Sequence, residues 1–133
     1  MELDYSKYTI LIVDDVPLNI ILVKKMITPR IAVNIRTANN GVKALESIRE
    51  QRPDLVLLDL MMPVMDGFGV LEAVKKDSSL KDLHIVILSA LNSELDIMRG
   101  LKAGANDFIT KPIIAERLFS CIEKQLTDVE LKK

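Results

Sequence analysis

The chain has 133 residues, the length of one domain able to bury its own core, with 49% hydrophobic and 28% charged residues. Eighteen basic against nineteen acidic residues leave a formal net charge of −1, which excludes the basic field that direct binding of nucleic acid or an anionic membrane requires. The lone Cys121 excludes an intrachain disulfide, no apolar run approaches the ~20 residues of a membrane span, and Met1-Glu2-Leu3-Asp4-Tyr5 lacks a secretory signature; no membrane insertion and a cytoplasmic location are the expectations.

Short apolar runs alternate with amphipathic stretches throughout, which predicts an α/β domain built as one (βα)5 unit with a doubly wound parallel sheet. It is expected to span 1–133 as a single domain, with a core at about 8–127 and short tails at both ends. The first strand is read at about Thr9 to Asp14. A helix follows, with Pro17 near its first turn, where the missing N–H does no harm, and Pro29 as its stop. Its expected buried stripe is Leu18, Ile21, Leu22 and Met26. In the second strand, Val33 to Ala38, apolar residues alternate with Asn34 and Arg36, the pattern of an edge strand with one wet face.

Helix two begins after Asn39-Asn40-Gly41 and is expected to bury Val42, Leu45 and Ile48. Pro53 and Asp54 punctuate before strand three, Leu55-Val56-Leu57-Leu58. The loop Met61 to Met65 leads to Asp66, a candidate N-cap for helix three, whose inner residues are Val70, Leu71 and Val74. Strand four is about Leu83 to Leu88. Helix four starts near Ser93, carries Leu95, Met98 and Leu101 as its expected inner face, and stops at Gly104. A short fifth strand covers Asn106 to Thr110, and helix five presents Ile114, Leu118, Cys121 and Ile122. Repeats, low-complexity tracts and linkers are absent from the sequence.

The chemistry lies where the apolar runs stop. Asp14 and Asp15 follow Ile10-Leu11-Ile12-Val13, Asp59 follows Leu55 to Leu58, Ser89 follows Ile85-Val86-Ile87-Leu88, and Lys111-Pro112 follows Phe108-Ile109. In a parallel sheet these runs end at one edge, and ligands of open α/β sheets bind in the crevice there. Three carboxylates, a hydroxyl and an ammonium on one edge suit a divalent metal together with a phosphoryl group. Mg²⁺ prefers oxygen ligands and uses one or two carboxylates beside phosphate oxygens. Asp59 is the candidate nucleophile, since a carboxylate can form an acyl phosphate and its strand reads as deeply buried. Lys111 and Mg²⁺ would neutralise phosphoryl charge, and Ser89 would donate a hydrogen bond. Each residue also has a bland reading: Asp14-Asp15 as a helix cap, Ser89 as a hydroxyl satisfied by backbone, Lys111 as a solvated lysine. Three coincident strand ends argue against all of these holding together.

Those stretches resemble the receiver domain of two-component response regulators over nearly the full chain. The residues that carry the resemblance are Ile12-Val13-Asp14-Asp15, the run Leu58 to Gly67, Leu88-Ser89-Ala90, Ala103 to Phe108, and Lys111-Pro112. The resemblance implies the flavodoxin-like strand order 2-1-3-4-5, which makes strand two an edge, as its alternation suggests independently. It implies Asp59 as phosphoacceptor and Mg²⁺ held by Asp15, Asp59 and the Met61 backbone carbonyl, with Asp14 acting mainly through water. Ser89 and Lys111 would grip the phosphoryl group, Phe108 would be the switch aromatic, and Lys111-Pro112 would be a cis peptide. Met61 and Leu91 would flank the approach of a hydrolytic water, and neither orients water well, so a slow decay is expected. The implied partners are a sensor histidine kinase or a histidine phosphotransfer protein, and an effector reached through the face made by helix four, strand five and helix five. The chain would catalyse only its own modification, as a stand-alone receiver or as one part of a larger regulator or hybrid kinase.

Three rival readings are weaker. A magnesium phosphatase with an aspartyl nucleophile is expected to carry an acid two residues later, where this chain has Met61. A pseudo-receiver would lack part of the acidic set. A flavodoxin-like mononucleotide binder needs a glycine- or hydroxyl-rich loop after strand one, where Asp14-Asp15-Val16-Pro17 stands. His84 lies away from the acidic edge, so a phosphorelay or metal-ligand role for it is set aside, and Cys121 at helical spacing reads as core.

Overall fold

The computed structural model describes residues 3–132. Its elements alternate as β1 (Leu3–Val13), α1 (Pro17–Ile27), β2 (Ile31–Ala38), α2 (Gly41–Glu50), β3 (Leu55–Leu58), α3 (Gly67–Lys76), β4 (His84–Ser89), α4 (Glu94–Lys102), β5 (Asp107–Thr110) and α5 (Ala115–Leu131). The five strands form one parallel sheet in the order β2-β1-β3-β4-β5, the flavodoxin-like arrangement. Every residue of β3 and β4 is buried, as continuous apolar runs require when helices cover both faces. β2 is an edge and its middle residues reach solvent.

Because successive strand residues point to opposite faces, the runs supply two cores at once. Leu11, Val13, Val56, Leu58, Ile85 and Ile87 pack against α2 and α3 on one face. Ile10, Ile12, Leu55, Leu57, Val86 and Leu88 pack against α1 and α5 on the other. Helix starts are fixed by side-chain caps: Asn40 accepts from the Lys43 N–H, Asp66 from Gly69 and Ser93 from Asp96. Gly104, at φ 114°, ends α4 in the left-handed conformation that glycine adopts without penalty.

Several inner faces differ from the sequence expectation. On α1 the buried residues are Val23 and Ile27, with Met26 partly covered, while Leu18, Ile21 and Leu22 face solvent. This helix is apolar around most of its circumference, so periodicity alone does not select a face. On α4, Leu95, Met98 and Leu101 are exposed, and only Gly100 is buried. Val42 of α2 and Ile114, the residue before α5, are likewise exposed, whereas Leu45, Ile48, Leu118, Cys121 and Ile122 are buried as expected. β1 begins earlier than its apolar run, because Leu3 to Tyr5 continue the pairing with β2 across a register shift between Tyr5 and Thr9.

The face assignment on α1 is measurable. Ile27→Ala should lower the unfolding free energy by about 2–5 kcal/mol, the range for truncating a fully buried side chain. Leu18→Ala should change it by less than about 0.5 kcal/mol. Urea unfolding of both variants decides it, and equal losses would contradict the orientation of α1.

Candidate acidic phosphoryl site

The ends of β1, β3, β4 and β5 bring the site together. Asp14, Asp15 and Asp59 offer carboxylate oxygens that all lie within 4.8 Å of one another. Asp14 and Asp59 are buried and Asp15 is half-buried. Backbone hydrogen bonds fix these positions: Asp14 N donates to Ala38 O at 3.2 Å, and Asp59 N donates to Val13 O at 3.0 Å. Lys111 reaches across from the end of β5, its Nζ 3.3 Å from Asp14 Oδ2 and 3.8 Å from Asp59 Oδ2. Lys111 N donates to Ser89 O at 2.8 Å, which ties the fourth strand end to the fifth. The Lys111-Pro112 peptide is cis.

Each group has a defined hydrogen-bonding state. Asp14 Oδ1 accepts from Val16 N at 2.9 Å, so this carboxylate anchors the start of α1, whose N-cap, Val16, has no capping side chain of its own. Asp59 Oδ1 accepts from Met61 N at 3.2 Å. Ser89 is fully buried, and its Oγ accepts from Leu91 N at 3.1 Å, which leaves the hydroxyl proton free to be donated elsewhere. Phe108 is buried in the core on the α2–α3 face, its ring against Gly100 of α4.

Burial pushes the Asp59 carboxyl above the ordinary aspartate range. The Met61 N–H and the Lys111 charge pull it back, and Asp14 and Asp15 push it further up. Three carboxylates facing one lysine form a site short of positive charge. The donor set is all oxygen and only partly enclosed, which fits a hard divalent cation such as Mg²⁺ and not a softer thiophilic one.

The loop after Asp59 holds a feature that sequence reasoning missed. Met65 N donates to Pro63 O at 2.9 Å, closing a three-residue turn on Val64, which has φ 70° and is 95% exposed. Met62 is buried, and Met65 is seated between Gly41 and Gly69, where added Cβ atoms would collide with it. The turn joins the buried Met62 to the half-buried Met65, and its left-handed φ costs on the order of 1–3 kcal/mol for a β-branched residue. Two cavities lie in this region, and one of them is lined by Asp14 and Asp59. One, of about 260 Å³, lies beneath α1 and is lined by Leu22, Val23 and Met26 together with Asp14 and Asp59. The other, of about 490 Å³, is a groove lined by Met61, Phe68, Leu91 and Arg99. The former depends on which face of α1 turns inward, which periodicity leaves open. His84 lies away from the cluster, its Nδ1 2.7 Å from Gln125 Oε1. Burial and the neighbouring Asp107 push the Cys121 thiol up to about 12, so it stays protonated in the core.

A protein-family model described as the response regulator receiver domain matches residues 10–123. The response regulator PleD of Caulobacter vibrioides is 38% identical over 122 residues, which are 92% of this chain and 26% of PleD. The chain therefore spans about a quarter of that relative. The chemotaxis protein CheY of Bacillus subtilis is 34% identical over 119 residues, covering 90% of this chain and 98% of CheY. Among solved structures, the signal receiver domain of a signal transduction histidine kinase from Syntrophus aciditrophicus superposes with a TM-score of 0.84 at 32% identity, covering 92% of each chain. The chain belongs to the response regulator receiver domain family, the receiver module of two-component signalling.

The raised pKa of Asp59 carries a stability consequence with a definite sign. An acid raised on folding binds its proton more tightly in the native state, so its contribution falls as pH climbs from the ordinary aspartate range through the raised value. Without divalent cations, Asp59→Asn should therefore melt at a higher temperature than the parent chain at neutral pH. The gain should fade as pH falls toward the ordinary aspartate range. Thermal denaturation of both proteins across pH checks this, and a variant less stable at neutral pH would contradict it.

Proposed function

We propose that this chain is a phosphorylation-driven switch in which Asp59 accepts a phosphoryl group from a phosphohistidine on a sensor histidine kinase or a histidine phosphotransfer protein. The observation that carries the reading is the Asp59 carboxylate, 6% exposed, sharing one lysine with Asp14 at the edge where four strands end. A carboxylate oxygen of Asp59 attacks phosphorus, the P–O bond forms as the P–N bond to the donor imidazole breaks, and the imidazole leaves with the electron pair. Lys111 turns from the two carboxylates toward the incoming phosphoryl oxygens. Ser89, already held as an acceptor by Leu91 N, donates its free proton to another of them. Asp15, Asp59 and the Met61 carbonyl would hold Mg²⁺, with Asp14 acting through water, and the ion would offset charge on the equatorial oxygens.

The chain is no enzyme toward a separate substrate, since its phosphorylated residue is its own Asp59. The donor protein docks beside the site on the solvent-facing apolar residues Leu18, Ile21 and Leu22, and Leu22 lines the same cavity as Asp14 and Asp59. Output leaves through α4, β5 and α5, where Leu95, Met98, Leu101 and Ile114 stand exposed, with Phe108 as the aromatic that links this face to Ser89.

Acetyl phosphate with Mg²⁺ should add one phosphoryl mass to the chain, and EDTA or Asp59→Asn should abolish it. Intact-mass spectrometry reads the result, and labelling of Asp59→Asn would remove Asp59 from this role. The lifetime of the product is a separate expectation. Met61, two residues after Asp59, and Leu91 line one groove and offer an incoming water no strong hydrogen bond from their side chains. Met61→Asn and Leu91→Lys should each speed decay after donor removal by about tenfold, below the roughly 10²–10⁴-fold that a fully positioned acid–base group supplies. Unchanged decay in both variants would place the clock elsewhere.

A further inference from the structure

α4 is held to the body of the protein in an unusual way. Of its nine residues, Gly100 alone is fully buried; Ile97 is partly buried against the core, and Leu95, Met98 and Leu101 face solvent. A glycine inside a helix is unfavourable relative to alanine, so its presence points to a packing requirement. A Cβ at Gly100 would lie 2.6 Å from Ile87 Cδ1 on β4, and 3.1 and 3.3 Å from Cδ2 and Cε2 of the Phe108 ring on β5. Ile87 and Phe108 are direct partners in the sheet, so the bare helix backbone rests on one cross-strand pair. Ser89 lies two residues beyond Ile87 on the same strand. One residue before Gly100, the Arg99 guanidinium stacks 3.7 Å from the centre of the Phe68 ring of α3 and steadies the same turn.

We propose that Gly100 is a positioning residue: its missing side chain forms the slot that keeps Phe108 inward, and it makes the ring and α4 one mechanical unit. Movement at Ser89 then reaches the outer face of α4 through Ile87, Phe108 and Gly100. The slot is a property of packing. Only the movement that drives it rests on the reading of Asp59 as phosphoacceptor.

The test uses the full chain and three substitutions. If glycine at this place had no steric role, Gly100→Ala would stabilise the protein through helix propensity. The slot predicts the opposite sign: a lower melting temperature, and amide hydrogen exchange on α4 faster by about tenfold or more. Ile87→Val removes the atom at 2.6 Å, and Phe108→Val removes the ring atoms. Added to Gly100→Ala, each should restore part of the α4 protection, and the two together most of it. In the parent chain, beryllofluoride with Mg²⁺ should shift α4 amides on its outer face, and Gly100→Ala should lose those shifts while still accepting a phosphoryl group from acetyl phosphate. Should Gly100→Ala not fold, the combination with both valine substitutions must fold, and its failure counts against the slot. A Gly100→Ala variant with a higher melting temperature and unchanged α4 exchange overturns the proposal. So does full recovery by Ile87→Val alone, which would leave Phe108 uncoupled from the helix. A parent chain that acetyl phosphate does not label would refute the phosphoacceptor reading while leaving the exchange result to judge the slot.

Discussion

Mutual repulsion among Asp14, Asp15 and Asp59 is the constraint on which the rest of this structure depends. Three carboxylates with oxygens within 4.8 Å of one another face one lysine ammonium, itself 3.3 and 3.8 Å from two of them. Such a cluster stays in place only if the backbone beneath it cannot yield. The sheet supplies that rigidity: β3 and β4 are buried along their whole lengths, and backbone hydrogen bonds bind Asp14, Asp59 and Lys111 to neighbouring strands. Stability of the core is thereby converted into an unbalanced charge at its rim. A cation bound at that rim would relieve the repulsion that folding creates.

The helices differ in how many buried residues hold them to the sheet. α2 and α3 are sewn to the sheet by several buried side chains each, and α1 by two. α4 has one fully buried residue, a half-buried Ile97 and a stacked arginine, and its Gly100 lies over the Phe108 ring. Elements that rearrange are drawn from the weakly held end of a structure. α4 is the helix with the fewest buried residues, and Leu95, Met98 and Leu101 stand exposed on it.

The site was legible in the sequence because strand ends are. An apolar run followed at once by Asp, Ser or Lys states both the strand and the edge on which its polar residue emerges, and parallel order does the rest. Asp14, Asp15, Asp59 and Lys111 meet for that reason, with Ser89 on the same edge. Helix faces were less legible. α1 carries apolar residues at seven positions from Leu18 to Ile27 on nearly all sides, so Leu18 and Leu22 compete with Val23 and Ile27 for the core. α4 turns only Ile97 and a glycine toward the core, and a hydrophobicity pattern gives weight to bulk, so it selects Leu95, Met98 and Leu101 instead. The left-handed Val64 gives no signal either, since its φ of 70° runs against the preference of valine itself.

Titrating the chain with Mg²⁺ while following its amide resonances tests the central claim most directly, because the claim is that the carboxylates form one cation-dependent site. The account predicts a single saturable binding event, with shifts largest at the ends of β1 and β3 and in the Met61 loop, that Asp15→Asn and Asp59→Asn each weaken by about tenfold or more, the loss expected from removing a charged ligand group. Shifts that never saturate, or binding that survives both substitutions unchanged, would contradict it.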